Sequence, residues 1–275
     1  MDYTESSNDL SEKRFFMKTA IVTGASSGLG REYVRRLDRQ SLAGKEPLDE
    51  IWVIARRRER LAGLKEECRT PVRILSADLT EESSMDEIRA LLKKKSPDVR
   101  MLICAAGFGK IGNYETVGRE NELRMIDLNC RAAVDITQSV LPYMSRGSCI
   151  IEVCSTAAFQ PFQELNVYAA SKSFLLHYTR GLSAELSPRR IKVCAVCPYW
   201  IRDTEFIPVA KETKSASIRH FPLSSRVSSV AAVSLWCARA GLPVSTPGIV
   251  CTVHRIVSMV PDSLLMLLWA LLRRL

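Results

Sequence analysis

In Tyr168-Ala169-Ala170-Ser171-Lys172 a phenol and an ammonium stand four residues apart, a spacing that brings two side chains onto one face of a helix. An unperturbed phenol ionises near pH ~10, too high for ready proton exchange at neutrality. A neighbouring ammonium favours the phenolate and lowers that value. Such a pair can give a proton in one direction and take it back in the other. The pattern also arises by chance, with the tyrosine half-buried and the lysine solvated, so it needs company. Ser155 supplies it, thirteen residues before Tyr168 and directly after the apolar run Cys149-Ile150-Ile151-Glu152-Val153-Cys154. In a doubly wound sheet the carboxyl ends of the strands open onto the ligand crevice, where a Ser155 hydroxyl would face the reacting groups.

Near the start of the chain, Thr23-Gly24-Ala25-Ser26-Ser27-Gly28-Leu29-Gly30 joins a β-branched run, Thr19 to Val22, to a stretch with helical spacing, Arg31 to Leu37. Strand, glycine turn and helix start place backbone N–H groups where a pyrophosphate can sit. Glycines remove the Cβ atoms where the chain turns tightly and a ligand must approach. Such a loop also calls for a reader of the adenosine ribose at the end of the second strand. That strand ends Ala55-Arg56-Arg57, with no acid before Glu59. Arg56 can offer a planar two-pronged donor to a 2′-phosphate, which favours NADP(H) over NAD(H); the plainer alternative is surface charge.

The T-G-x-x-x-G-x-G loop followed by S-x12-Y-x3-K resembles the short-chain dehydrogenase/reductase family over about residues 18 to 255. The resemblance implies that Tyr168 is the general acid in carbonyl reduction and that Ser155 hydrogen-bonds the substrate oxygen. It implies that Lys172 holds the nicotinamide ribose and tunes Tyr168, and that Asn129 binds a water in a proton relay. It implies a dinucleotide held by Gly24, Ser26, Ser27, Gly28, Leu29, Gly30 and Arg56. Asp78, Leu79, Ala106, Gly107, Pro198 and Ile201 would complete that site with Tyr168 and Lys172. Asp78 would contact the adenine, and serves equally well as the N-cap of a following helix. Two departures stand out. Cys104-Ala105 replaces the asparagines of the N-N-A-G pattern, and Pro198-Tyr199-Trp200-Ile201-Arg202-Asp203-Thr204 replaces P-G-x-V-x-T. The latter resembles the branch of 17β-hydroxysteroid and long-chain 3-ketoacyl reductases, and so implies a bulky, steroid- or lipid-like ketone or alcohol.

The elements that must position these residues alternate along the chain. Strand-like runs at 50–55, 72–77, 100–105, 149–154 and 191–196 are separated by helical stretches at 59–68, 84–95, 123–144 and 167–186. A helix at 227–240 and a seventh strand at Gly248 to Val253 follow. The pattern implies α/β architecture: one doubly wound Rossmann domain, an about seven-stranded parallel sheet with helices on both faces. The expected division is a disordered extension at 1–16, the Rossmann domain at 17–255 and an apolar C-terminal helix at 256–275. Residues 204–226, with Phe206, Ile207, Val209, Phe221 and Leu223, read as a mobile lid over an apolar pocket. His220 reads as a loop residue, His177 as helix packing, and His254 has no assigned role.

Hydrophobic residues make up 47% of the 275, enough for one sizeable core, and the net charge is +9. The basic residues come without nucleic-acid motifs or interleaved aromatics, which argues against nucleic acid. Nine irregularly spaced cysteines and no signal-like apolar core before Lys18 suit reduced, buried thiols in a cytoplasmic protein. Cys194-Ala195-Val196-Cys197 lacks a second pair, so a structural reading outweighs a metal site. From Leu264 to Leu272 nine consecutive apolar residues precede Arg273 and Arg274, well short of the roughly 20 that span a bilayer. A helix apolar all round must be covered: by a second copy in a homo-oligomer or the substrate-side wall first, by a membrane surface second, with Trp269 at the headgroups. The partner expected of the site is a small carbonyl or alcohol. The rival class is a catalytically silent, dinucleotide-binding regulator on the same fold.

Overall fold

The computed structural model describes residues 16–213 and 223–272, with side chains as far as Leu267. Residues 1–15 of the extension expected at 1–16, His220 and Phe221 of the lid, and the side chains of Trp269, Arg273 and Arg274 lie outside the described residues.

Seven strands form one sheet: β1 (Lys18–Thr23), β2 (Glu50–Ala55), β3 (Val72–Ser76), β4 (Asp98–Cys104), β5 (Cys149–Val153), β6 (Lys192–Val196) and β7 (Val244–Ser245). Their spatial order is β3-β2-β1-β4-β5-β6-β7, and every pair is parallel. The strands are near-continuous apolar runs because both sheet faces are covered. On one face lie α1 (Gly28–Leu42), α2 (Arg58–Glu67) and α8 (Val227–Arg239), packed over Val22, Val53, Ile103 and Val196. The buried Tyr33 hydroxyl shares a 2.6 Å hydrogen bond with Ser234, tying α1 to α8. On the other face lie α3 (Glu82–Lys95), α5 (Ala132–Val140) and α6 (Asn166–Leu186), over Ile21, Trp52, Leu102, Ile150 and Val193.

The direction of winding reverses between β1 and β4, so their carboxyl ends diverge and open a crevice. Thr23 holds its floor: the hydroxyl accepts hydrogen bonds from Ala105 N and Ala106 N, both at 3.1 Å.

Two stretches differ from the sequence expectation. The helix expected at 123–144 starts earlier, as α4 (Tyr114–Ile126), where the Asn113 carboxamide accepts from Thr116 N at 3.0 Å and caps the first turn. It then passes through a π-helical turn, Asp127–Arg131, before α5. The seventh strand is only Val244–Ser245, and Ile249–Val257 is a helix, α9. The β-branched run from Ile249 to Val253 reads as a strand by composition, yet Gly248, with φ +116°, turns the chain out of the sheet after Pro247. Only Cys251 of this helix is buried, so one inward position in the first turn replaces the alternation a strand would need. Between β6 and α8 a short helix, α7 (Phe206–Ala210), precedes the gap, and α10 (Asp262–Leu272) ends the described chain.

Candidate active site

At the crevice floor, Gly24 and Gly28 adopt φ of +64° and +52°, a region that costs other residues strain. Close packing adds to that demand. A Cβ on Gly24 would stand 2.7 Å from the Ala105 carbonyl, and one on Gly30 would collide with the backbone of Gly24. The loop is therefore a bare backbone cradle at the N-terminus of α1, the geometry that receives phosphates. Ser26, Leu29 and the loop glycines line a cavity of about 620 Å³. Its wall also carries Arg56, Asp78, Leu79, Ala106, Gly107, Ser155, Tyr168, Lys172, Pro198 and Ile201. Every expected cofactor-binding residue thus faces one space, and the site fits a dinucleotide.

At the adenosine end the structure adds a residue the sequence reading passed over. Arg56 is mostly exposed, with its Nη1 3.5 Å from the Asp78 carboxylate. The adjacent Arg57 turns back over the glycine loop, donating to Ser27 Oγ at 2.8 Å and Ser26 Oγ at 3.1 Å. Arg57 also meets the Glu205 carboxylate at 2.9 Å, and Arg60 pairs with the same carboxylate. Glu205 lies on the segment after β6, so these pairs strap that segment across the crevice. The arginines hold the Glu205 carboxyl below its usual range. Asp78 is not a helix cap: α3 starts at Glu82, and the Asp78 carboxylate accepts from Thr80 N at 3.0 Å and Thr80 Oγ1 at 2.7 Å. Partial burial pushes its pKa up, but the Thr80 bonds and Arg56 outweigh this and leave it below the usual range.

Ser155, Tyr168 and Lys172 converge where β5 meets α6. Ser155 Oγ accepts from Ala157 N at 3.1 Å, and its hydroxyl meets the Tyr168 phenol. Tyr168 and Lys172 share one face of α6 and are both nearly inaccessible, at 6% and 4% exposed. The lysine Nζ donates to the Val153 carbonyl at 2.7 Å and stands 6.0 Å from the centre of the Tyr168 ring. Burial pushes the Tyr168 phenol up strongly, and the Ser155 hydroxyl opposes it. This differs from the expectation that Lys172 lowers the phenol's pKa: desolvation wins, because the ammonium is bonded to a carbonyl instead. The same burial lowers the Lys172 pKa.

Asn129 sits on the π-helical turn, fully buried. Its extra backbone residue swings the carboxamide inward, where Nδ2 donates to Phe108 O and to Ser171 Oγ, both at 3.0 Å. A Cβ on Gly107 would stand 2.9 Å from Asn129 Oδ1 and 3.3 Å from Lys172 Nζ, so Asn129 and Lys172 flank one glycine.

The departures after β6 acquire a structural account. Asp203 accepts from Val227 N at 2.8 Å and so caps α8. Thr204, one place later, lines the cavity with its methyl 3.5 Å from where a Gly28 Cβ would be. Aromatic rings build the far end of the cavity: Phe108, Phe162, Tyr199, Trp200 and Phe206. Phe206 packs 5.6 Å from the Tyr168 ring and 6.1 Å from that of Trp200. His254, on the inner side of α9, also lines the cavity against Tyr199, and burial lowers its pKa. Reading that segment as a strand hid this placement.

Comparison with known proteins places these features in context. The model of the short chain dehydrogenase family matches residues 18–215. An NADP-dependent 3-hydroxy acid dehydrogenase of Salmonella typhimurium is 30% identical over 193 residues, 69% of this chain and 75% of that protein. The structure of a short-chain dehydrogenase from Sphingobium yanoikuyae in complex with NADPH is 28% identical, with a TM-score of 0.71, covering 85% of this chain and 88% of the other. A 3-ketoacyl-(acyl-carrier-protein) reductase from Brucella melitensis complexed with NADH is 25% identical, with a TM-score of 0.68, covering 83% and 95%.

Proposed function

From the premise that this chain belongs to the short-chain dehydrogenase family and is one of its oxidoreductases, we propose that it interconverts a ketone and a secondary alcohol using NADP(H), on a bulky apolar substrate. The observation that carries this reading is the convergence of Ser155, Tyr168 and Lys172 on the cavity that also holds the glycine cradle. A nicotinamide dinucleotide seated there supplies or takes up the hydride. The chain does the rest. Tyr168 gives its proton to the carbonyl oxygen, and burial keeps the phenol in the protonated form that reduction needs. Ser155 donates to the same oxygen as negative charge develops on it. Lys172 holds the ribose from the inner wall, and Asn129, locked to Phe108 and Ser171, anchors the relay behind it.

Preference for NADP(H) rests on Arg57 and Arg56, because relatives carry either dinucleotide. The ring-lined end of the cavity supports a steroid- or lipid-like substrate, as apolar walls with a few placed polar groups do for ligands of that kind. The intact Ser155, Tyr168 and Lys172 weigh against a silent regulator. All nine cysteines are free, eight of them buried, which supports a reducing, cytoplasmic setting. A homo-oligomer is the expected assembly. Peripheral membrane contact is a second reading, favoured by one observation: α9 and α10 turn a row of large apolar side chains outward.

NADPH oxidation against steroid ketones, long-chain 3-ketoacyl compounds and small ketones tests the reading. Turnover of a bulky class should fall by about 10²–10⁴-fold in Tyr168→Phe. Turnover of small ketones alone would overturn the substrate assignment. NADPH binding with no turnover of any carbonyl would favour the regulator.

A further inference from the structure

One ionisable group near the site has no part in the mechanism above. Glu152, in the middle of β5, is fully buried. Its Oε1 accepts from Thr137 Oγ1 on α5 at 2.8 Å, while Oε2 has no hydrogen-bond partner. Directly across on β4 stands Cys104, and on β6 stands Ala195. Tyr178 faces it from α6. Glu152 and Cys154 point to the same side of the sheet, as residues two apart on a strand do. Lys172 reaches the carbonyl of Val153, the residue between them. Among the described residues, Lys172 stands 6.0 Å from the centre of the Tyr168 ring and is surrounded by Cys154, Glu152, Cys130 and Cys197, so one carboxyl group accompanies three thiols and the phenol.

A buried ammonium needs a counter-charge, since burial favours its neutral form. The Val153 carbonyl is a dipole and Asn129 is neutral. We propose that Glu152 is a positioning residue acting through Lys172: its buried carboxylate is the counter-charge that keeps Lys172 a cation inside the cavity wall. This rests on the reading of Lys172 as the ribose-holding residue for its functional meaning; the placement of the buried Glu152 beside Val153, whose carbonyl Lys172 holds, does not depend on that reading. The cluster also accounts for a departure noted in the sequence. Where the family pattern has asparagine, this chain has Cys104, whose Sγ lies 3.6 Å from the same Thr137 hydroxyl that meets the carboxyl. Desolvation raises Glu152 to about 7, with Thr137, Cys104 and Lys172 opposing. The carboxylate is therefore formed above neutrality, the range in which a buried lysine would otherwise lose its proton.

Trace acetylation with acetic anhydride, read peptide by peptide across pH, reports the titration of Lys172 with neither cofactor nor substrate present. In Glu152→Gln the pH at which Lys172 becomes reactive should fall by about one unit, a tenfold change in the fraction protonated. Glu152→Asp should recover part of the shift, and surface lysines should not move. NADPH affinity should lose its alkaline range in the same variant while its value near pH 6 holds. If Glu152→Gln does not fold, Thr137→Val decides: removing the hydrogen bond that favours the carboxylate should move Lys172 the same way by less. An unchanged Lys172 titration in a folded variant overturns the proposal. Failure of the unmodified chain to turn over any carbonyl would instead overturn the functional reading and leave the Lys172 titration to be read alone.

Discussion

Arg57 and Arg56 are neighbours with different tasks. Arg56 points outward and shares its charge with Asp78, whereas Arg57 lies over Ser26 and Ser27 of the glycine loop and pairs with Glu205. A 2′-phosphate entering this end would find Arg57 already oriented. Charge-assisted hydrogen bonds are worth about 1.5–3 kcal/mol, so Arg57→Ala should weaken NADPH binding by about 10–150-fold and leave NADH binding nearly unchanged. Arg56→Ala should produce the smaller loss. Fluorescence titration of both dinucleotides measures this, and equal losses for NADPH and NADH would show that Arg57 serves the loop rather than the phosphate. Sequence alone favoured Arg56 because strand position is all that it offers. The turn that follows the strand, which decides between neighbours, depends on where Glu205 arrives from 148 residues away.

At the scale of elements, most of the fold was legible because the strands are apolar runs bounded by breakers, and six of the seven fall where expected. The exception shows what periodicity lacks. Ile249 to Val253 carries strand-like residues, but the short pairing of β7 with β6 ends at Ser245 and the turn at Gly248 sends the next residues into a helix. The pairing of Tyr168 with Lys172 was legible for the opposite reason, since the two lie about one turn apart on one helix and need no distant partner. Asn129 was legible only by resemblance, because nothing local announces a π-helical turn. Strand β5 shows a cost that the sequence does not display. Glu152, raised from 4.5 to about 7 by burial, binds its proton more tightly in the folded chain than in the unfolded one. Folding therefore gains from it below pH ~4.5 and loses that gain as pH rises through ~7, about 3 kcal/mol in all. Thermal melts of the unmodified chain and of Glu152→Gln should separate between pH 5 and 8, with the unmodified chain losing several degrees relative to the variant. Parallel melting curves across that range would place the carboxyl in a more polar setting than its burial indicates.

Taken whole, the molecule has two unlike sides. The sheet is covered on both faces, and exposed apolar side chains gather toward the end of the chain: α9, the turn after it and α10 leave Ile249, Val253, Ile256, Met259, Val260, Leu264 and Leu267 exposed, Ile249 and Met259 to 84%. Positions 249, 253 and 256 follow helical spacing within α9, so they form one outer stripe. The inner side of the same two helices is committed: Cys251 and Leu265 are buried, His254 lines the main cavity, and Met266 lines a second cavity beside Phe162 and Tyr168. Among the described residues, no side chain of α10 lines the main cavity where the substrate-side wall was expected, and the outer side of both helices needs a cover. Among the described residues no helix is long and apolar enough to cross a membrane. A row of half-exposed aliphatic side chains beside Arg255, on a chain of net charge +9, is suited to lie in the headgroup region of an anionic bilayer. That placement would set the cavity wall against the phase in which a lipid-like ketone dissolves. The unmodified chain should sediment with vesicles containing anionic phospholipid, less with neutral ones, and less at high salt. Ile256→Glu with Met259→Glu should abolish sedimentation while leaving the melting temperature and NADPH affinity unchanged, because neither side chain touches the cavity. If the chain ignores vesicles and the double variant halves its molecular mass in solution, the stripe is covered by a second copy and the membrane reading falls.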